Sequence, residues 1–310
     1  MKKRLLFVGI LFLLYNCEAI FVEDISENAI VLLAPTNNSE ITSGTIVFNW
    51  QEIVDASEYE VQIARPSFES ATQILLDSLA TITTLSKELA VGDYQWRVRA
   101  LNSEYNTDFG THSFSVIDAN FENKIIPLVL PIDKDTTNVK NQTLVWQAIE
   151  SAKEYRIQVW QPDIDGTKIE DTSVTNTNYE YEFPEGDFTW QVRGETISKN
   201  TVFSSRTITV DTTAPNTPTL DLPTDNATIA ATTSTTFKWN RTDIVGTPEL
   251  DSIYFYSEVT LQNLVHKNRG ITKEYTKNDF STGDYYWFVK SFDKAGNDST
   301  SSTTRKLTIN

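Results

Sequence analysis

One cysteine, Cys17, and two histidines, His112 and His266, are all that 310 residues supply of these types. A single cysteine closes no internal disulfide, so the cores of this chain must hold by packing. Two histidines far apart in sequence leave no basis for a metal cluster or a Ser-His-Asp centre, and no serine lies in a G-x-S-x-G elbow. Basic residues are also scarce: 26 Lys and Arg stand against 42 Asp and Glu, a formal charge of −16. A nucleic-acid binder needs a basic stripe to displace counterions, so nucleic acid is excluded as a partner. Long apolar runs are missing, since the best of them, Leu5 to Leu14, is too short to span a bilayer. No cofactor and no metal site are expected.

That apolar run follows Lys2, Lys3 and Arg4 and has the layout of a secretory signal peptide. It ends in Leu14-Tyr15-Asn16-Cys17, which resembles a bacterial lipobox, with Asn16 where the pattern prefers a smaller residue. The resemblance implies cleavage before Cys17, a thioether-linked diacylglycerol on its sulfur, and a membrane partner engaged through that anchor. It implies an outer membrane lipoprotein, exposed at the cell surface or facing the periplasm. Residues 1–16 are thus expected as signal peptide and 17–29, with Glu18, Glu23, Asp24 and Glu27, as an acidic tether.

What is abundant is repetition. "GDYQWRVRA" at 92 returns as "GDFTWQVRG" at 186 and "GDYYWFVKS" at 283. Trp50, Trp146 and Trp239 lie 96 and 93 residues apart, and Trp96, Trp190 and Trp287 lie 94 and 97 apart. One domain is therefore built three times, over 30–118, 124–210 and 216–310. Each landmark alternates with period two: Tyr94, Trp96, Val98 and Ala100 share one side, and Gln95, Arg97 and Arg99 the other. No helical stripe occurs after the leader, so the fold class is all-β, three tandem β-sandwiches. Carboxylate pairs are plentiful, but glycosidase pairs work in a cleft that small sandwiches do not offer, and no enzyme is expected.

Trp50, Tyr59 after an eight-residue gap, and Leu89-x-x-Gly92-x-Tyr94-x-Trp96 resemble a fibronectin type III domain. The second copy matches through Trp146, Tyr155, Gly186, Phe188 and Trp190. In the third, "DTTAPNTP" and "FDKAGN" are similar to bacterial Ig-like domains, and strict alignment sets Tyr254 against Tyr59. The resemblance implies that the repeated Trp residues fill the space between sheets and that the hydroxyl of Tyr94 ties a corner. Arg97 and Arg99 are expected to pair across strands with Glu60 and Gln62. Asp163-Ile164-Asp165-Gly166 resembles the start of a calcium loop, but Val174 stands where the final Glu belongs, and a hairpin turn is the better reading. Asp77-Ser78, Asp135-Thr136, Asp211-Thr212 and Asp251-Ser252 resemble a short O-glycosylation signal of some Gram-negative envelopes.

The function expected is a non-enzymatic envelope scaffold, a spacer that binds another envelope or extracellular protein; the alternative is a carbohydrate-binding surface lipoprotein that stacks glycans on exposed aromatics. Alternation picks the candidate surface. Trp160 is one step out of phase with Tyr155, Ile157 and Val159. In the third copy, placing Ile253, Phe255 and Val259 inside turns Tyr254 and Tyr256 outward, and Tyr286 and Phe288 alternate with Tyr285, Trp287 and Val289. Trp160, Tyr254, Tyr256, Tyr286 and Phe288 are therefore the candidate contact residues.

Overall fold

The structure is a computed structural model and describes residues 21–310. Cys17 and residues 1–16, expected as a signal peptide, lie outside the described residues. The chain divides into two compact units, 1–119 and 120–310, the first holding one sandwich and the second holding two. Among the described residues no helix is long and apolar enough to cross a membrane.

The first sandwich runs β1 (Leu32–Ala34), β2 (Ser39–Thr42), β3 (Gly44–Trp50), β4 (Glu58–Arg65), β5 (Gln73–Ala80), β6 (Thr84–Leu89), β7 (Gly92–Leu101) and β8 (Gly110–Ile117). A three-stranded sheet, β1-β3-β6, faces a five-stranded sheet, β2-β8-β7-β4-β5. The second sandwich repeats this order with β9 (Leu128–Leu130), β10 (Asp135–Thr137), β11 (Asn141–Trp146), β12 (Glu154–Gln161), β13 (Thr167–Val174), β14 (Asn178–Glu182), β15 (Gly186–Glu195) and β16 (Ser204–Val210). The third repeats it with β17 (Thr219–Leu222), β18 (Ala227–Ile229), β19 (Thr235–Asn240), β20 (Glu249–Tyr256), β21 (Leu264–Ile271), β22 (Glu274–Lys277), β23 (Gly283–Asp293) and β24 (Arg305–Ile309). This strand order defines three fibronectin type III-like sandwiches.

Alternation along each strand places the core. On β7, Tyr94, Trp96, Val98 and Ala100 are buried while their neighbours are partly exposed. The six repeated Trp side chains are all buried, and each sandwich has its own apolar cluster. Full burial of each ring removes enough apolar surface to contribute about 2–3 kcal/mol. Aromatic edges meet ring faces around them: Phe48 and Trp96 lie 5.1 Å apart at 67°, and Phe237 and Trp287 lie 4.9 Å apart at 77°.

Backbone groups freed at irregular points find recurring partners. After its first strand each copy crosses from the three-stranded sheet to the other, where its second strand pairs parallel with its last. Carbonyls released at that crossing accept from Arg206 at Val129 (2.9 Å) and Pro131 (2.6 Å), and from Arg305 at Leu220 (2.7 Å) and Asp221 (2.8 Å). In the first copy the Trp96 indole N–H donates to the Pro35 carbonyl at 3.2 Å. Tyr94 donates from its hydroxyl to the Ala90 carbonyl at 2.8 Å, and Tyr285 does the same to Ser281 at 3.0 Å. Phe188 fills the equivalent place without a hydroxyl.

Two expectations are corrected. Residues 23–29 are not a free tether: Ile25 is fully buried in the first core and the Asn102 side chain donates to the Glu23 carbonyl at 2.9 Å. Val259 is not inward, because β20 ends at Tyr256 and Val259 lies beyond it, 68% exposed.

Candidate functional site

The third copy departs from the other two at the end of its core, and register shows how. Tyr59 pairs with Ala100, Tyr155 with Gly194, and Asp251 with Ser291. Asp251, not Tyr254, therefore occupies the place of Tyr59. In the first two copies the tyrosine ring packs on the core Trp, 5.6 Å between centroids in each, and its hydroxyl accepts from the Ile53 or Ile149 backbone N–H. The indole N–H groups of Trp50 and Trp146 are left without partners. In the third copy the Asp251 carboxylate accepts from the Trp239 indole N–H (2.8 Å), the Arg241 Nε–H (2.8 Å), the Ser291 hydroxyl (2.6 Å) and the Lys273 backbone N–H (3.1 Å). Arg241 also meets Glu249, and the Arg241, Glu249 and Asp251 side chains are 2%, 4% and 0% exposed. Trp239, Arg241, Glu249 and Asp251 leave no buried side-chain polar atom without a partner, as burial of charge requires. This set is a structural core element; Ser252 beside it is 2% exposed, so the Asp251-Ser252 pair is closed to modification.

This register fixes what faces outward on the five-stranded sheets. Tyr254 lies opposite Phe288, and Tyr256 opposite Tyr286. The ring pairs are stacked: Tyr254 on Phe288 at 4.9 Å and 17°, Tyr256 on Phe288 at 5.8 Å and 15°. All four side chains are half-buried, and Tyr254 and Tyr256 each cover part of Phe288. On the far side of β20, Lys267 of β21 lies opposite Tyr254 with its ammonium 4.7 Å from the ring centroid. Arg269 lies opposite Ser252 and stacks its guanidinium 4.0 Å from the Phe292 ring. Lys290 and Lys306 are paired, with Asp298 at 2.9 Å and Asp284 at 2.8 Å.

At the same positions the other two copies carry a single ring, Trp160. Gln62 and Gln158 stand where the third copy has Tyr254, and Ala64 and Trp160 where it has Tyr256. In the first copy Arg99 pairs with Glu60 at 2.6 Å, Arg97 donates to Gln62 at 2.7 Å, and Arg97 lies between the Phe68 and Phe109 rings. In the second, Arg156 bridges Asp171 (3.0 Å) and Glu195 (2.9 Å). Burial pushes the Glu195 carboxyl up, but the bonds from Arg193 and Arg156 outweigh it and hold its pKa below the ordinary range. Trp160 is half-buried on the outer face beside Lys168. It belongs to the second sandwich and does not join the stack of the third. Alternation alone identifies Tyr256 and Phe288; Lys267, Arg269 and Phe292 were missed, because only the pairing of β20 with β21 and β23 brings them beside the stack.

A second built feature joins the second and third sandwiches. The Asp211 carboxylate accepts from the Thr247 backbone N–H (2.7 Å) and hydroxyl (2.8 Å), and the Asn297 amide donates to the Asp211 carbonyl at 2.7 Å. Burial raises the Asp211 pKa, yet these bonds from Thr247 and that from Thr213 prevail and lower it. Glu185, Asp187, Asp211 and Val245 line a 380 Å³ hollow beside this contact. Among the described residues no group of three or more His, Cys, Asp or Glu is placed to hold a metal ion. Asp163 to Gly166 form a turn between β12 and β13, in which the Gly166 N–H donates to the Asp163 carbonyl at 2.9 Å and the Asp165 N–H to the Asp163 carboxylate at 3.0 Å.

No protein-family model matches the chain, and no curated protein matches it. Among solved structures it is similar to the FN1-FN3 domains of chicken CNTN1, at 14% identity over 91% of this chain and 97% of that one, with a TM-score of 0.38. It is also similar to fibronectin(III)-like modules of Clostridium thermocellum CbhA, at 15% identity over 59% of this chain and 94% of that one, with a TM-score of 0.29. A third is a segment of two fibronectin type III domains from chicken tenascin, at 15% identity over 59% and 98%, with a TM-score of 0.32. The strand order set out above is what defines the class: a chain of tandem fibronectin type III-like sandwiches.

Proposed function

We propose that the protein is a non-enzymatic envelope lipoprotein, anchored at Cys17, whose sandwiches act as a spacer and present the outer face of the third copy to a protein partner. The observation that carries this reading is the stack of Tyr254 and Tyr256 on Phe288, with Tyr286 opposite Tyr256, on two adjacent strands. At the same positions the first copy has Gln62, Arg97, Gln95 and a fully buried Ala64, with no ring among them. Aromatic rings and arginine are enriched at protein interfaces. The hydrogen-bonded Asp211 junction supports the spacer role, since it fixes the third sandwich to the second.

Two substitutions test the two halves. Cys17→Ala should abolish detergent-phase partitioning, and partitioning equal to that of the unaltered chain removes the lipoprotein reading. Tyr256→Ala with Phe288→Ala should abolish partner binding while lowering stability only by the stacking energy, about 0.5–1.5 kcal/mol per pair. Partner binding that survives this double change overturns the assignment of the face.

A further inference from the structure

The cations of the third copy are set apart from those of the rest of the chain. Residues 30–118 carry four basic against twelve acidic side chains and residues 124–210 nine against thirteen, while residues 216–310 carry ten against eleven. Lys267 and Arg269 are exposed on β21, the last strand of its sheet. Among the described residues neither makes an ion pair; each rests on a ring instead, Lys267 on Tyr254 and Arg269 on Phe292. A cation held over a ring keeps N–H donors for an anion, and its side chain is already ordered.

We infer that this face docks an acidic protein segment, with carboxylates on Lys267 and Arg269 and apolar side chains against the Tyr256, Phe288 and Tyr286 rings. This rests on the reading of the aromatic face given above. Charge complementarity selects the acid: two unpaired cations in a chain of net charge −16 form a local site of opposite sign. Spacing selects a peptide, since Lys267 and Arg269 are two residues apart on a strand, about 6.6 Å, the repeat of alternate side chains along an extended chain. Ring geometry argues against a neutral sugar, because Tyr254 is covered by Phe288 from β23 and by Lys267 from β21, leaving it no open face. The same two cations on an edge strand repel a second β21 and so disfavour self-pairing.

The test uses the full chain in detergent and a random glutamate-tyrosine copolymer as probe, with poly-L-lysine and polygalacturonate beside it. Expected is salt-sensitive binding to the copolymer, none to poly-L-lysine, and at least tenfold weaker copolymer binding by Lys267→Glu with Arg269→Glu at an unchanged melting temperature. If charge reversal lowers the melting temperature, Lys267→Gln with Arg269→Gln replaces it, and the expected loss is then at least threefold. Copolymer binding unaffected by the charge changes overturns the inference; if Tyr256→Ala with Phe288→Ala still abolishes that binding, the aromatic face stands without it. Absence of copolymer binding, or tighter binding of polygalacturonate through the same two cations, overturns it as well.

Discussion

Replacing Asp251 by alanine is the sharpest perturbation the third sandwich offers. The carboxylate is wholly buried and is the common acceptor for the Trp239 indole, Arg241, Ser291 and the Lys273 backbone. Its removal leaves a guanidinium that is 2% exposed with Glu249 as its remaining buried partner, and an indole N–H and a hydroxyl with nothing to bond. Breaking a buried pair from one side costs about 3–5 kcal/mol. For a sandwich of this size that corresponds to a fall of about 12–40 °C in Tm. Calorimetry or urea unfolding of the full chain should show one transition moved down by this amount, with the transition of the first sandwich unmoved. The physics also orders a series: Asp251→Asn, which keeps an acceptor but loses the charge, should fall between the parent and alanine. A loss under about 1 kcal/mol for Asp251→Ala would refute the reasoning, because the set would then be solvated in solution.

Tyr94→Phe removes the hydroxyl bonded to Ala90 and should cost about 1 kcal/mol, whereas Phe188→Tyr, in the copy without that bond, should gain no more than this; equilibrium unfolding compares them. Burial foremost, with Lys277 next, holds the His266 pKa below its ordinary 6.5. Its contribution to stability is therefore complete above pH 6.5 and lost as pH falls through that value toward the native pKa, so the third sandwich should weaken as pH falls below 6.5 and His266→Phe should flatten the profile. Gly246→Ala puts a Cβ 2.6 Å from the Asp211 carboxylate at a φ of +155°, which should open the junction at a cost of about 1–3 kcal/mol; unchanged thermal coupling of the second and third sandwiches would contradict that role. Asp211, with a lowered native pKa, holds the junction at neutral pH and should release it only as pH falls below its ordinary 3.8.

Much of this molecule is legible in its sequence because a strand has a period of two. Repetition of Trp96, Trp190 and Trp287 gives the three sandwiches, and alternation around them gives the buried side of β7, β15 and β23 together with the outward direction of Tyr286 and Phe288. Alternation says which side a residue faces; it does not say which residue lies across from it. That depends on register, set by turn length and by bulges such as those beside Ser252 and Tyr256. Register is why Asp251 stands in the place of Tyr59, against an alignment that favours Tyr254, and why a buried Arg241 has its carboxylates. It also decides that Lys267 meets Tyr254 and Arg269 meets Phe292, contacts between residues 13 and 23 positions apart that no local pattern encodes. The docking of Ile25 and the Asp211 junction belong to the same class, since a short acidic segment reads as linker until the tertiary fold supplies Asn102 or Thr247 to bind it.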